Sequence, residues 1–252
     1  MQLQVWAMQM LHPISKCKRF MRKLSMKQEI ARLRAQDRIL YSGNVHLPEI
    51  ALTFDDGPDP YYTPQILDIL QQYAVKATFF CVGRQVAAYP RLVRRAYEAG
   101  HVIGNHSWDH PDIGILSTAD ICKQLNRTSD AIQAVIGERS TFFRPPYGSL
   151  SRQVLIQTSR LGLITIMWND KAEDWARPGI DFIIRHALDA ANGTVILLHD
   201  GDEDRSQTVA ALPAIIVGLQ ERGFQFVTVQ QMVDHLHKAP IASETVRGHF
   251  LT

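Results

Sequence analysis

Five short segments carry the residues with chemistry to offer. Asp55-Asp56-Gly57-Pro58 sets two carboxylates side by side, and His106 and His110 lie four residues apart. Arg144 opens Arg144-Pro145-Pro146-Tyr147-Gly148, Asp174-Trp175 joins an acid to an aromatic, and His199-Asp200 ends an apolar run. Each has an ordinary reading. Asp, Gly and Pro favour turns, so the first segment could be a turn and nothing more. A lone histidine is usually structural, and a pair at this spacing is moderately specific for a metal. The double proline makes a stiff loop, and Asp174-Trp175 is weak alone. Asp56, His106 and His110 together offer two imidazoles and one carboxylate, leaving a position open for water, which is the form of a catalytic zinc site. The other carboxylate can take a proton, and a stiff backbone can aim an N–H at a reacting oxygen.

These residues sit just past the ends of predicted strands. The apolar, β-branched runs Glu49–Phe54, Ala77–Val82, His101–Asn105, Thr141–Arg144, Leu163–Trp168, Thr194–His199 and Phe224–Val229 read as strands. Helical patterns lie between them. One starts at Thr63-Pro64, with proline in the first turn. Another starts at Ser117, with Asp120 three residues on. Others fall near Arg91–Ala99, Ser151–Leu161, Ile180–Ala191, Thr208–Arg222 and Gln230–His237. Strands alternating with helices predict a parallel α/β fold. In a parallel barrel the C-terminal strand ends share one face, where active sites sit. Gly104 before and Pro111 after place His106 and His110 on a tight loop rather than a long helix.

The rest of the 252 residues narrows the class. A 46% apolar and 21% charged composition excludes a disordered chain, and a net charge of +2 gives no basic stripe for nucleic acid. The three cysteines, Cys17, Cys81 and Cys122, form no CxxC and support neither a zinc ribbon nor a disulfide framework. No run of 18 apolar residues predicts a transmembrane span. No signal peptide is recognisable, because the basic cluster Lys16–Lys23 follows the apolar stretch, so the sequence reads as cytoplasmic. Residues 1–47 differ from the remainder. Arg19–Leu40 suits one amphipathic helix with Phe20, Leu24, Ile30, Leu33 and Leu40 as its apolar stripe. A packed or solvated leader is the plain reading, and weak contact with a membrane surface is the sharper one. The expected organisation is a helical, basic leader over 1–47, of which residues 1–40 are expected to be dispensable, a catalytic domain over 48–240 and a tail over 241–252.

In order, Thr53-Phe54-Asp55-Asp56-Gly57-Pro58, His106-Ser107-Trp108-Asp109-His110, Arg144-Pro145-Pro146-Tyr147, Asp174-Trp175 and Leu197-Leu198-His199 resemble the motifs of the polysaccharide deacetylase family, also called the NodB homology domain or carbohydrate esterase family 4. The likeness runs from about residue 48 to 235 and includes Arg205-x-x-Thr208. It implies a distorted (β/α)7 barrel that removes N-acetyl groups from glycans containing N-acetylglucosamine, such as peptidoglycan, chitin or chitooligosaccharides. It also implies roles. Asp56, His106 and His110 hold a divalent metal, zinc first, with cobalt or nickel as alternatives. Asp55 is the general base and His199 the general acid. Arg144 holds Asp55 and Asp174 orients His199. The backbone N–H of Tyr147 faces the oxyanion, and Trp175 and Leu197 line the pocket for the acetyl methyl. One departure stands out: many members carry a middle acid in the fourth motif where this chain has Lys171, with Asp170 one place earlier. A different amidohydrolase and an inactive glycan binder are the competing readings.

Overall fold

A computed structural model describes residues 26–238. The basic cluster Lys16–Lys23, the start of the expected leader helix and the tail over 241–252 lie outside the described residues. A helix runs through residues 26–34 (α1). The strands are β1 Ile39–Leu40, β2 Glu49–Asp55, β3 Thr78–Cys81, β4 Val102–Asn105, β5 Phe142–Phe143, β6 Ile164–Ile166, β7 Thr194–His199 and β8 Gln225–Phe226. The further helices are α2 Tyr62–Gln72, α3 Gly83–Ala88, α4 Pro90–Glu98, α5 Thr118–Ile136, α6 Arg152–Arg160, α7 Ile180–Leu188, α8 Ser206–Glu221 and α9 Val229–Asp234. Every strand pairing is parallel. The order is β1-β6-β5-β4-β3-β2-β7, with β8 added on β2. The curled sheet inside its helices is the distorted (β/α)7 barrel that the resemblance implies.

Side chains alternate across each strand, and this sorts the core from the site. On β2, Ile50, Leu52 and Phe54 face the helices and join Ile66, Leu70, Leu212 and Ile215 in the main core. Ala51 faces the barrel interior with Phe80, Phe142, Ile166 and Val195, so Thr53 and Asp55 share its side by period. The same alternation sends Ile196 and Leu198 of β7 to the outer core and leaves Leu197 and His199 on the inner face with Val195. The catalytic candidates are therefore the last inward positions of strands whose outward positions pack the fold.

Two elements depart from the expected pattern. The leader does not continue as one helix to Leu40. Asp37 takes a left-handed conformation at φ 52°, the Arg38 N–H returns to the Leu33 carbonyl at 2.8 Å, and Ile39–Leu40 then pair with β6. Leu33 is buried with Ile39, Leu155 and Met167, so this stripe residue turns to the domain rather than outward. The sheet thus begins ahead of the boundary expected at residue 48, through a strand too short to leave a period in the sequence. α3 was not anticipated either: it has six residues, opens on Gly83 and has no side-chain cap. α5 begins as expected, with Ser117 Oγ accepting the Asp120 N–H. Among the described residues no helix is long and apolar enough to cross a membrane.

Candidate active site

Two adjacent carboxylates on a strand would point to opposite faces. Here Asp55 ends β2 facing inward, and Asp56 leaves the strand with φ 75°, which swings its carboxylate to the same side. Asp and His tolerate this left-handed region better than most residues. The reversal needs close backbone approach. A Cβ on Gly57 would sit 2.2 Å from Asp200 Oδ2, and one on Gly201 would sit 2.6 Å from the Asp56 carbonyl oxygen. Asp200 braces the turn by accepting the Gly57 N–H at 3.2 Å and the Thr63 hydroxyl at 2.6 Å. Burial raises its carboxyl to about 7, helped by the charges of Asp56 and Asp55 and opposed by those two donors.

His106 and His110 lie on a loop after β4 that reaches Pro111, while Gly104 belongs to β4 itself, where a Cβ would run into the Phe80 ring. Asn105 is fully buried and pins that loop by donating to the Leu125 carbonyl and Ser129 hydroxyl and accepting the Ser107 N–H at 2.9 Å. Ser107 Oγ in turn accepts the His110 N–H at 3.2 Å. His106 Nδ1 donates to the Arg144 carbonyl at 2.8 Å, which aims Nε2 into the cleft and makes it the lone-pair nitrogen of the neutral ring. The His106 and His110 Nε2 atoms stand 3.4 and 3.2 Å from Asp56 Oδ1. Asp56 Oδ1 is buried and has no hydrogen-bond partner, and the three residues' ligand atoms lie within 4.8 Å of one another. An orphaned buried carboxylate oxygen facing two imidazole nitrogens fits a divalent cation. Burial opposes the charge on Asp56, but His106, His199 and His110 hold it well below the usual carboxylate range. Burial also opposes protonation of His106, and Asp55 and Asp56 overcome it. In His110 burial prevails, with His106 beside it, and the ring's affinity for a proton falls.

Behind this cluster are two buried supports. Arg144 is fully buried. Its guanidinium reaches Asp55 Oδ1 at 2.9 Å, Thr53 Oγ1 at 2.7 Å, and the Ile166 and Met167 carbonyls, each at 3.2 Å. It lies over the Phe80 ring, 4.3 Å from the centroid. Asp174 is also buried. Its Oδ1 meets His199 Nδ1 at 2.7 Å, while its Oδ2 accepts the His199 N–H at 2.8 Å and the Thr208 hydroxyl at 2.7 Å. Burial disfavours a charged His199 ring, yet Asp174 raises it to about 9, with Asp55 and Asp56 adding to the effect. His199 Nε2 is left facing Asp56 Oδ2 across 4.0 Å.

Asp55, Asp56, His106, His110, Tyr147, Trp175, Leu197 and His199 line one cleft of about 430 Å³, with Trp168, Asp202, Glu203 and Arg205. Tyr147 and Trp175 are exposed on its rim, and the Tyr147 ring stands edge-on to His110 at 4.6 Å. All ten residues named from the sequence thus line the cleft or hold residues that do. Thr53, Asn169, Asp170 and Asp200 had no role assigned from the sequence. Thr53 is in the first motif, and Asp170 beside the unusual Lys171 was the one visible hint.

The family described as "Polysaccharide deacetylase" matches residues 42–166. The chain is 40% identical over 191 residues to a peptidoglycan-N-acetylglucosamine deacetylase of Bacillus cereus, covering 75% of this chain and 89% of the relative. It is 41% identical over 189 residues to a chitooligosaccharide deacetylase of Sinorhizobium fredii, covering 70% and 88%. The crystal structure of the Bc1960 peptidoglycan N-acetylglucosamine deacetylase superposes with a TM-score of 0.76 at 36% identity, covering 77% of this chain and 92% of that one.

Proposed function

The chain belongs to the polysaccharide deacetylase family, and from that premise we propose that it hydrolyses the N-acetyl groups of N-acetylglucosamine units in peptidoglycan or chitooligosaccharide. The observation that carries the reading is the buried, unpartnered Asp56 Oδ1 facing His106 and His110, with Asp55 and His199 on either side. Asp56, His106 and His110 would hold the divalent metal, and their mixed oxygen and nitrogen donors suit zinc. When bound, such a cation lowers the pKa of water to about 7 and polarises a carbonyl.

The protein's own groups supply the rest. Asp55, held by Arg144, which Thr53 braces in turn, takes a proton from the attacking water. The new C–O bond makes a tetrahedral centre whose oxyanion accepts the backbone N–H of Tyr147. His199 donates a proton from Nε2 to the departing nitrogen, the C–N bond breaks, and acetate and an amine remain. Asp174 holds the ring by Nδ1 throughout and stabilises its charged form. Leu197 and Trp175 give the acetyl methyl an apolar wall.

The test is acetate release from chitopentaose and from peptidoglycan fragments, by protein as purified, after chelation, and after zinc is restored. Release that stops with chelator and returns with zinc is expected, and the faster substrate names the glycan. No release from either glycan with zinc stoichiometrically bound would overturn the proposal.

A further inference from the structure

β7 is an edge strand: β2 occupies one side, and no strand among the described residues pairs with the other. Buried backbone N–H groups at such an edge need partners. Here the outward N–H groups are met in turn by side chains of one segment, 169–174. Val195 N–H donates to Asn169 Oδ1, Leu197 N–H to Asp170 Oδ1, and His199 N–H to Asp174 Oδ2, each at 2.8 Å. The Asn169 N–H returns a bond to the Val195 carbonyl at 3.3 Å. The second Asp170 oxygen accepts the Ala172 N–H at 3.0 Å and so shapes the segment itself. Three alternate residues of a strand meeting three acceptors in chain order form a ladder, and its last rung is the carboxylate that holds the His199 ring.

We infer that Asn169 and Asp170 are positioning residues for deacetylation: by fastening segment 169–174 to the edge of β7, they set the register in which Asp174 grips His199. The inference rests on the reading of His199 as general acid. Asp174 must reach both the backbone N–H and the ring Nδ1 of one residue. A slip of the segment along β7 would break one of those contacts. Asp170 carries most of the restraint because its two oxygens tie the strand and the segment together. It also accounts for the departure at Lys171, whose exposed side chain takes no part in the ladder while the acid one place earlier does.

The test uses the full chain with Asp170→Ala, Asp170→Asn and, as control, Lys171→Ala. Steady-state acetate release is measured with zinc bound. The downfield proton signal of the His199 Nδ1–H is followed by NMR in metal-free protein. Asp170→Ala should lower kcat by ~10- to 100-fold, as loss of a supporting partner typically does. KM and bound zinc should stay within about twofold, and the imidazole signal should broaden or vanish. Asp170→Asn keeps one acceptor, for Leu197 or for Ala172, and should recover only part of the lost turnover. Lys171→Ala should match wild type. An Asp170→Ala protein with unchanged kcat and an intact imidazole signal would overturn the inference. If Asp170→Ala does not fold, Asn169→Ala is read in the same way, and an unchanged signal there overturns the inference. Wild type that binds zinc without releasing acetate would defeat only the functional reading, because the imidazole signal still reports the positioning.

Discussion

Asp55 and Asp56 are neighbours with different surroundings. Asp55 has a guanidinium at 2.9 Å, whereas Asp56 has imidazoles and an oxygen with no donor. The environments split the labour, so the two can be separated by mutation. Asp55→Asn should still bind zinc while turnover falls ~10²- to 10⁴-fold; normal turnover would remove Asp55 as the base. His110→Ala should lower the zinc retained after dialysis, read by elemental analysis, and full retention would break the ligand assignment. Arg144 has a structural stake as well. Removing one partner of a buried ion pair typically costs 3–5 kcal/mol, because the other charge is left stranded. Urea denaturation of Arg144→Met should therefore show a loss of about 3 kcal/mol or more; stability equal to wild type would mean Asp55 does not depend on that charge.

At the scale of elements, strand ends are set by side chains that serve as backbone partners. His101, just before β4, is buried, and its Nδ1 accepts the Ala77 N–H at 3.0 Å ahead of β3. An accepting Nδ1 must be unprotonated. Burial lowers this ring from 6.5 to about 4, with Lys76 and Arg95 adding to the effect. The unfolded chain therefore binds this proton first. The contribution is complete above pH ~6.5 and is lost as pH falls through about 4, a difference of up to ~3 kcal/mol. In urea titrations at pH 7 and pH 4, wild type should lose about that much more stability than His101→Asn, whose amide oxygen can take the same N–H. Equal losses in the two proteins would show that the ring does not charge on unfolding.

At the scale of the whole molecule, the barrel closes between β1 and β7 without strand pairing among the described residues. At the bottom the Gly43 N–H meets the Gly193 carbonyl at 2.8 Å, and a Cβ on Gly193 would lie 2.9 Å from Gly43. At the top the segment after β6 supplies the side-chain ladder, and inside, Arg144 spans from β6 to β2. The leader thus contributes to the closed shape, because β1 and Leu33 belong to it. Deleting residues 1–40 would expose the Leu155 and Met167 cluster and remove three buried aliphatic side chains, Leu33, Ile39 and Leu40, at ~2 kcal/mol each. Thermal unfolding of that truncation should show a clear drop in Tm or aggregation. An unchanged Tm would restore the view of the leader as dispensable.

Local pattern determined much of this protein. The apolar runs Glu49–Phe54 and Thr194–His199 already put Asp55 and His199 at strand ends, and the alternation of the folded strands then turns both away from the packed core. Pro111 pointed to a loop for His106 and His110, although Gly104 belongs to β4, and the Ser117 cap marked where α5 begins. The motif set carried the candidate metal ligands and the proposed acid–base pair. What remained depended on contacts between distant segments. A two-residue strand such as β1 has no period to read and exists because β6 offers it an edge. The sequence carries no sign that Arg144 is buried until Phe80, Thr53, the Ile166 carbonyl of β6 and the Met167 carbonyl just after it enclose the guanidinium. Asp170 looked like a displaced motif residue, and only the open edge of β7 assigns its carboxylate a partner. Hydrogen bonds to backbone carry no side-chain signature at the partner's position, so the tertiary fold alone decides where they go.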